Sequence, residues 1–451
     1  MARVHQKARG KGIPLALPAR RRIQSRAVQV RFKDPGTLIS HVSYKAVARV
    51  FVLAIVGTHA FFLWSVRDRI ARADPDFTSF YSAGKIVRDG RGAELYDFGT
   101  QQKAQDEFSS NADIRKGPLP YIHPPYEALL FVPLTFVPYT VAFTVWECLN
   151  LLFLCVICWL LRKDLASFQN LSTWQLVVLC LAFFPVLANF HQGQDAILLL
   201  LIVVVAFRNI ERGEEFAGGC WLGLGIFKYH LVLPLTLILV LWKGRRLLLG
   251  FAGVASAAVI ASLAIVGWRG AMRYPAFAWQ VVSEPRFGGL PFRRMPDLLG
   301  LVGGWPITER IGWPVQIAVI TASVALAMIT VRLRPRSMNR EIFRQCFSCA
   351  VILAVLLGYC TNTYDLCLLI LPLALLTDYW VSRPTENLWS RATSIFPAAV
   401  ICLSPLWFFL WMRWERINLM ALFLLWWFFA LRNEVMGVRT KRESARRPAL
   451  I

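Results

Sequence analysis

Long apolar runs separated by short polar segments recur along almost the whole chain. An uncharged run of about 20 residues, folded as a helix, matches the ~30 Å hydrocarbon core of a bilayer. Such runs predict membrane spans near residues 46–66, 140–161, 173–190, 195–208, 247–267, 313–331, 346–359, 364–381, 393–411 and 417–431. The run 217–242 is interrupted at Lys228 and Pro234, so it predicts two short helices. The pattern is typical of an all-α, polytopic transmembrane protein with about 10–12 spans.

The composition agrees with a membrane protein and excludes two other classes. Apolar residues make up 56% of the chain and charged residues only 17%, whereas a soluble domain carries roughly a quarter charged residues. A disordered chain is excluded because such chains lack this much apolar mass. The recurring uncharged runs also exclude a single soluble globule.

Positive charge is concentrated in two terminal segments. Residues 1–45 contain 11 Lys and Arg against one acid, and residues 432–451 contain six against two. Basic segments beside hydrophobic spans stay in the cytoplasm. We therefore expect two cytoplasmic tails that meet the anionic headgroups of the cell membrane. The arginines at positions 20–22 have no accompanying aromatic platform, so no nucleic-acid partner is expected.

Two longer polar segments lie on the opposite side of the membrane in this scheme. Residues 67–125 carry nine acids and nine Lys or Arg, a balance unlike that of the tails, and they form the predicted first outer loop. Residues 268–312, which are rich in Pro, Gly and Arg, form the predicted second outer loop. The predicted organisation is a transmembrane body over 46–431 that carries these loops and is flanked by the two tails.

The sequence predicts neither a cofactor nor a metal. Most of the ten cysteines lie inside apolar runs, where cysteine behaves as a small hydrophobic residue. Two C-x-x-C spacings, at 155–158 and 346–349, lack a second pair or a nearby histidine. The chain also has no glycine-rich nucleotide cradle.

The first outer loop begins with two acids close to the predicted membrane surface, Asp74 and Asp76. Apolar residues at helical spacing follow, and they predict an amphipathic helix on the bilayer with Asp76 at its N-cap. Two interpretations of Asp76 are open. Its side chain either caps the helix or acts as a base that deprotonates an acceptor hydroxyl. Further along, Asp97 is a predicted cap for a second helix.

Motifs in this loop and beyond it resemble glycosyltransferase family 87, a family of polytopic enzymes with the C-type glycosyltransferase (GT-C) fold and extracytoplasmic loop helices. The matching residues are Asp76-Phe77-x-x-Phe80-Tyr81-x-Ala83-Gly84, Gly90, Leu95-Tyr96-Asp97, Pro124-Pro125, Pro133-Leu134, Gly193-Gln194, Lys228 and Tyr364-Asp365. They run from about residue 74 to residue 376, so the resemblance covers most of the transmembrane body.

The resemblance implies a hexosyltransferase, with mannose as the first candidate sugar. The implied donor is a sugar linked to a membrane polyprenyl phosphate, and the implied acceptor is a lipid or glycan on the extracytoplasmic face. The family's essential acid lies in the first outer loop. Asp76 matches it as general base of an inverting transfer, and Asp74 is the competitor. Asp195 departs from the amide that relatives carry after Gly-Gln, and His123 replaces a common aromatic residue.

Positive charge for the leaving phosphate is expected from side chains rather than from a metal. Lys228 lies in an interrupted apolar run, where a buried cation is costly and usually functional. The alternative is a lysine that snorkels to the interface. His230 either shares the phosphate or is an interface residue. Three arginines of the second outer loop are further phosphate candidates: Arg286, Arg293 and Arg294.

Side chains at the predicted outer ends of the spans are candidates for substrate binding. Besides Asp74, Lys228 and His230, this set comprises Tyr81, His123, His191, Gln194, Tyr364 and Asp365. His191 and Gln194 lie where two spans meet, so they can bond sugar hydroxyls. Asp365 has the alternative role of a helix cap.

Two other classes of function compete with an enzyme. One is a transporter or flippase for a lipid-linked glycan, and the other is a non-catalytic membrane scaffold. A transporter typically has paired halves with helices broken at matching positions. The long polar loop after the first predicted span has no counterpart halfway along the chain, which counts against a transporter.

Overall fold

The computed structural model describes residues 75–109, 119–283, 295–303, 312–335, 339–382, 388–403 and 419–446, with isolated positions between 53 and 68. The predicted span 46–66 and the tail 1–45 lie largely outside these residues. All the elements below belong to one compact unit, Val52–Ile451.

Sixteen α-helices of the described residues carry the architecture. In chain order they are α1 Phe77–Arg88, α2 Phe98–Asp106, α3 Pro125–Phe131, α4 Tyr139–Asp164, α5 Thr173–Leu181, α6 Phe184–Gln192, α7 Ala196–Glu211, α8 Glu215–Leu224, α9 Tyr229–Lys243, α10 Arg245–Ser283, α11 Leu298–Gly303, α12 Trp313–Arg332, α13 Arg340–Leu357, α14 Ile370–Val381, α15 Leu388–Cys402 and α16 Met420–Arg446. Short 3₁₀ helices join several of them, including Val132–Phe136, Gly225–Lys228 and Thr363–Leu369.

The predicted all-α fold class is confirmed, since every regular element among the described residues is helical. Five helical segments are long and apolar enough to cross a membrane, and a bent helix pair would make six. The five are Tyr139–Asp164, Glu215–Lys243, Arg245–Val281, Trp313–Arg332 and Thr363–Val381. The chain is therefore a multi-pass membrane protein, while the count of 10–12 spans stays a prediction.

The predicted break in the run 217–242 is present. Helix α8 ends at Leu224, a 3₁₀ turn covers Gly225–Lys228, and α9 begins at Tyr229. The 3₁₀ turn holds Lys228 with non-helical backbone angles, φ −104° and ψ 59°. The interruption places the lysine at a helix junction, where its side chain can turn towards neighbouring elements.

The predicted span 173–190 is not one straight helix, because the chain bends by 80° between α5 and α6, as in a broken span or a re-entrant loop. Pro185 lies in the first turn of α6. Proline has no N–H and its ring clashes with the carbonyl four residues earlier, so α5 cannot continue past Leu181. The apolar run alone did not show this bend.

The predicted second outer loop begins with helical residues rather than with an irregular segment. Helix α10 runs to Ser283 and is kinked at Gly267, which has φ 63° and ψ 177°. A residue with a Cβ rarely adopts such angles, so glycine permits the kink. The chain therefore leaves the helical conformation at Gly267 and changes direction between two helical segments.

The predicted helix after Asp76 is confirmed in position as α1, but it is not a surface helix. Nine of its twelve residues are buried, because it packs on α3 and on the 3₁₀ helix that follows α3. Gly84 allows this close approach, since a Cβ there would lie 2.9 Å from the Phe131 carbonyl carbon. Helix α1 is thus an internal element of the fold.

Two hydrophobic clusters make up the core. The larger one joins α4, α7, α9, α13, α14 and α16. The smaller one is aromatic and joins α1, α3 and the start of α4 to the end of α10. The polar residues described next lie where α1 of the smaller cluster meets the start of α7 of the larger one.

Candidate functional site

A tight turn between α6 and α7 forms the framework of the site. Gly193 closes α6 in the left-handed conformation, with φ 62° and ψ 40°. A Cβ at this position would lie 2.6 Å from the Phe77 Cβ. Glycine is therefore required both for the turn and for the close approach of α1.

Side chains of α4 and α6 fix the same turn. The Trp146 indole donates to the Gly193 carbonyl at 3.0 Å, and the Asn150 amide donates to the Gln194 carbonyl at 3.2 Å. The Asn189 Oδ1 accepts from the backbone N–H groups of residues 196 and 197, at 3.0 and 3.3 Å. These bonds occupy the backbone of the turn, so its side chains are left to face α1.

Asp76 is held by this turn rather than by its own helix. It occupies the predicted N-cap of α1, but its side chain makes no capping hydrogen bond. Instead, Gln194 Nε2 donates to Asp76 Oδ2 at 2.8 Å, and the Asp76 backbone N–H donates to Gln192 Oε1 at 3.1 Å. Asp97 behaves in the opposite way, since its Oδ1 accepts from the Thr100 N–H at 2.8 Å as a true cap.

Lys228 lies at the centre of a buried group of charges that we call the lysine cluster: Asp195, Lys228 and Asp365. The Lys228 ammonium lies 2.9 Å from Asp195 Oδ1 and 2.9 Å from Asp365 Oδ1. The three side chains are 1–3% exposed. This arrangement does not match a lysine that snorkels to an interface, because the charged end itself is buried.

Asp365 combines the two roles that its sequence position left open. Its Oδ2 accepts from the Asn362 N–H at 2.8 Å and caps the 3₁₀ helix Thr363–Leu369. Its Oδ1 faces Lys228. Tyr364, next to it, presents its ring to the ammonium at 5.0 Å from Nζ to the centroid. The start of this helix thus belongs to the same charge cluster.

His123 and Glu127 border the lysine cluster on the side of α3. His123 Nδ1 lies 2.8 Å from Glu127 Oε2 and 3.9 Å from Asp195 Oδ2. Burial lowers the pKa of His123 to about 4, so its imidazole is neutral at physiological pH. Burial raises the pKa of Glu127 well above its ordinary value, and the neighbouring Asp195 carboxylate adds to this shift.

The other predicted site residues are spread over the turn before α7, the start of α9 and the aromatic cluster. His191 Nδ1 lies 3.1 Å from Gln192 Nε2, on the turn that holds Asp76. His230 Nε2 is buried without a hydrogen bond to any described residue. Tyr81 packs among aromatic rings of α1 and α4 and donates its hydroxyl hydrogen to the Val137 carbonyl at 2.9 Å. These contacts place Tyr81 in the aromatic core.

Asp74 and the three arginines Arg286, Arg293 and Arg294 lie outside the described residues. Their predicted roles stay predictions.

Sequence reasoning missed Glu127 and Gln192, and it treated Asp195 only as a departure from a family pattern. Glu127 has the same signal that pointed to Lys228, because it is a charged residue at the start of an apolar run. Its position four residues after His123, with two prolines between them, could also have been noticed as a second polar side chain close in sequence. The contact of both with Asp195 depends on tertiary structure.

A metal is the one inorganic ligand for which these residues offer donors. One donor atom each of His123, Glu127 and Asp195 lies within 4.8 Å of the others. The set combines one imidazole nitrogen with two carboxylates.

Comparison with known proteins gives one match. The model of glycosyltransferase family 87 matches residues 121–358, which is more than half of the 451-residue chain. The matched part includes His123, Glu127, Asp195 and Lys228, whereas Asp76 and Asp365 lie outside it. No curated protein and no solved structure matches the chain.

Proposed function

Since the chain belongs to glycosyltransferase family 87 and is a membrane glycosyltransferase, we propose which sugar donor it uses, on which face of the membrane the acceptor lies and which residue is the general base. The proposed reaction transfers a hexose, with mannose as the first candidate, from a polyprenyl-phosphate donor to a lipid or glycan acceptor. We place the reaction on the extracytoplasmic face of the cell membrane, with both tails in the cytoplasm, because the basic tails follow the positive-inside bias.

The single observation that carries the proposal is the orientation of the Asp76 carboxylate. An aspartate at an N-cap normally accepts from the backbone of its own helix, but Asp76 accepts from Gln194 Nε2 instead. The amide of Gln194 is a neutral donor, so this bond orients the carboxylate and adds no positive charge beside it. A base that is oriented in this way keeps a lone pair for an acceptor hydroxyl, which has to approach within ~2.6–3.2 Å.

The proposed step balances as an inverting displacement. The acceptor oxygen forms a bond to the anomeric carbon while the bond from that carbon to the phosphate oxygen breaks. The hydroxyl proton passes to Asp76, and the electron pair of the broken bond leaves with the polyprenyl phosphate. In this scheme Gln194 is a positioning residue for the base.

Buried polar atoms near the base are suited to bind sugar hydroxyls. Gln194 Oε1 and His230 Nε2 are both buried without a hydrogen bond to a described residue. Burial of an unsatisfied polar atom costs about 1–3 kcal/mol, so such atoms favour a polar ligand. We assign them to the donor sugar, together with His191 and Tyr364.

The test compares two N-cap aspartates of the same loop, Asp76 and Asp97. The purified full-length chain is reconstituted with a radiolabelled polyprenyl-phosphate hexose and a lipid extract from a strain that lacks the gene, which supplies the unglycosylated acceptor. Asp76→Asn is expected to lower transfer by ~10²–10⁴-fold, the usual contribution of general-base catalysis. Asp97→Asn is expected to keep normal transfer because Asn caps a helix about as well as Asp.

Expression level and elution volume of both variants report on folding. Transfer by Asp76→Asn at the wild-type rate would remove Asp76 as the base and would turn attention to Asp74. Absence of transfer by the wild-type protein from every polyprenyl-phosphate sugar tested would overturn the proposed donor.

A further inference from the structure

Three donor atoms from two parts of the fold converge beside the lysine cluster. His123 precedes α3, Glu127 lies in its first turn, and Asp195 precedes α7. The imidazole nitrogen and one oxygen of each carboxyl group lie within 4.8 Å of one another. This spacing is that of ligands around one small ion, for which metal–ligand distances are ~2.0–2.3 Å.

Hydrogen bonding among the described residues does not account for the imidazole nitrogen in this group. His123 Nδ1 is buried without a hydrogen bond to a described residue, and the hydrogen-bond partner of the Glu127 carboxyl group is Asp195. The 2.8 Å approach of His123 Nδ1 to Glu127 Oε2 does not have hydrogen-bond geometry. Glu127 is fully buried and Asp195 is 1% exposed, so bulk water does not reach their carboxyl groups.

Lys228 and the imidazole approach Asp195 from different oxygens. The Lys228 ammonium faces Asp195 Oδ1 and Asp365 Oδ1, whereas the oxygen of Asp195 that faces His123 is Oδ2. Asp195 also offers a donor oxygen close to those of His123 and Glu127. The position shared by Asp195 Oδ2, Glu127 and His123 Nδ1 is therefore suited to a cation.

We propose that His123 Nδ1, the Glu127 carboxylate and Asp195 Oδ2 bind a divalent transition-metal ion of the Mn²⁺ or Zn²⁺ type. One imidazole and two carboxylates form a mixed nitrogen and oxygen donor set, which suits these ions better than Mg²⁺, whose preference is for oxygen alone. The result differs from the metal-free site that the sequence predicted.

The imidazole is held in place for this role by its surroundings. Its ring contacts the rings of Phe80 and Tyr121, with centroid distances of 4.9 and 5.6 Å. The Tyr96 hydroxyl donates to the His123 carbonyl at 2.8 Å. Oriented ligands of this kind bind a metal more tightly than mobile ones.

A bound ion would also change the charge that the donor phosphate meets, and this part rests on the proposed function. Three carboxyl groups of the site surround one lysine among the described residues: Glu127, Asp195 and Asp365. Such an arrangement repels a phosphodiester. Three protein ligands leave coordination positions open, so we assign one of them to a donor phosphate oxygen.

The test measures metal binding directly on the purified full-length protein. The protein is stripped with EDTA and dialysed against Mn²⁺, and bound metal is counted by elemental analysis and by the Mn²⁺ EPR signal. We expect one Mn²⁺ per chain in the wild type. Glu127→Gln is expected to lower the affinity at least ~100-fold, since even outer-shell changes cost 10–100-fold.

The matched control is Glu147→Gln, which changes a buried glutamate of α4 outside the donor set and is expected to bind one Mn²⁺ like the wild type. His123→Gln, with the same expectation as Glu127→Gln, serves if Glu127→Gln does not fold. Absence of stoichiometric Mn²⁺ and Zn²⁺ in the stripped and reloaded wild type would overturn the metal site and leave Glu127 and Asp195 sharing a proton. Equal affinity in wild type and Glu127→Gln would overturn the assignment of its ligands.

Measurement of sugar transfer distinguishes a failure of the metal site from a failure of the proposed function. Full transfer by protein that is shown to be metal-free would overturn the metal–phosphate contact while the proposed donor stands. Stoichiometric Mn²⁺ without transfer from any polyprenyl-phosphate sugar would overturn the proposed donor while the metal site stands.

Discussion

The two ends of helix α7 carry charge clusters of opposite character. At the N-terminal end, Asp195 belongs to the lysine cluster. At the C-terminal end, about 24 Å away for a 16-residue helix, lies what we call the arginine cluster. Its members are Asp164, Arg208, Glu211, Arg212, Arg344 and Asp378.

The arginine cluster is balanced and satisfied. It contains three arginines and three carboxylates, and none of their side-chain atoms is buried without a hydrogen bond among the described residues. Arg344 bridges Glu211 at 2.6 Å and Asp378 at 3.0 Å. Asp378 also accepts from the N–H and the hydroxyl of Ser167, at 3.0 and 2.9 Å. These bonds join α4, α7, α13 and α14 at one end of the bundle.

The lysine cluster is neither balanced nor satisfied. One ammonium faces two carboxylates, and a third carboxyl group, that of Glu127, lies beside Asp195. The nearby His123 Nδ1 is buried without a hydrogen bond to a described residue. Unsatisfied buried groups cost stability, so they persist where a ligand completes them. Charges with complete hydrogen bonding therefore stabilise the packing of the helices, whereas charges without it indicate the candidate site.

The largest effect on stability is expected from Lys228→Met, which breaks the lysine cluster. It leaves two buried carboxylates without their cation, and removal of one partner from a buried ion pair costs about 3–5 kcal/mol. The two ion pairs depend on tertiary contacts and were not visible in the sequence. Thermal unfolding in detergent checks the prediction.

Arg344→Met is the matched change at the other end of α7 and is expected to cost less. Hydrogen bonds to charged groups are worth about 1.5–3 kcal/mol, and Asp378 keeps both donors of Ser167. Its folded fraction should also retain wild-type transfer. Equal destabilisation by the two substitutions would contradict the difference that we draw between the clusters.

The two glycines in left-handed conformation beside α7 give a smaller and sharper comparison. The Cβ that Gly193→Ala adds would lie 2.6 Å from the Phe77 Cβ, whereas a Cβ at Gly213 would have no heavy atom within 4 Å. Both substitutions carry a left-handed penalty of roughly 1–2 kcal/mol. Only Gly193→Ala adds overpacking, at about 1–3 kcal/mol, and it displaces the start of α1 from the turn that holds Asp76.

Thermal unfolding and sugar transfer, measured on both alanine variants, check this prediction. Gly193→Ala is expected to lose stability and activity together, and Gly213→Ala only a part of the stability. If both variants kept full activity, the contact between α1 and the turn would not position the base.

The last expected effect is a pH dependence of stability from Asp297. This residue contacts the segment that leads into the helix of Asp365. Its carboxylate accepts from the N–H of Gly300 at 2.7 Å and from that of Thr361 at 3.2 Å, just before the helix that carries Asp365. Burial raises the pKa of Asp297 from 3.8 to about 7. The folded state therefore holds this proton more tightly than the unfolded state does.

The contribution of Asp297 to the free energy of unfolding is therefore complete below pH ~4 and is lost as the pH rises through about 7. Nearby Tyr359 and Cys360 have raised pKa values and stay neutral over this range. The unfolding temperature of the wild type is expected to fall more between pH 5 and pH 8 than that of Asp297→Asn. Parallel pH profiles of the two proteins would contradict the prediction.

Much of the fold could be predicted from local patterns. Apolar runs located α4, α9, α12 and α14 to within a few residues, because membrane helices satisfy their own backbone and need only length and hydrophobicity. The break at Lys228 was also predicted, since a charge and a proline interrupt the run. The bend before Pro185 and the burial of α1 were not predicted, because both depend on neighbouring helices.

The sequence alone determined the all-α membrane class and the family resemblance. It also indicated Asp76, Gln194, Lys228 and Asp365 as separate candidate site residues. Only the tertiary structure decided which of them meet. Asp76 and Gln194 are 118 residues apart and share a hydrogen bond, and Lys228 pairs with acids on two other helices. The physical reason is that apolar periodicity acts over neighbouring residues, whereas ion pairs and buried donors form only after distant helices pack.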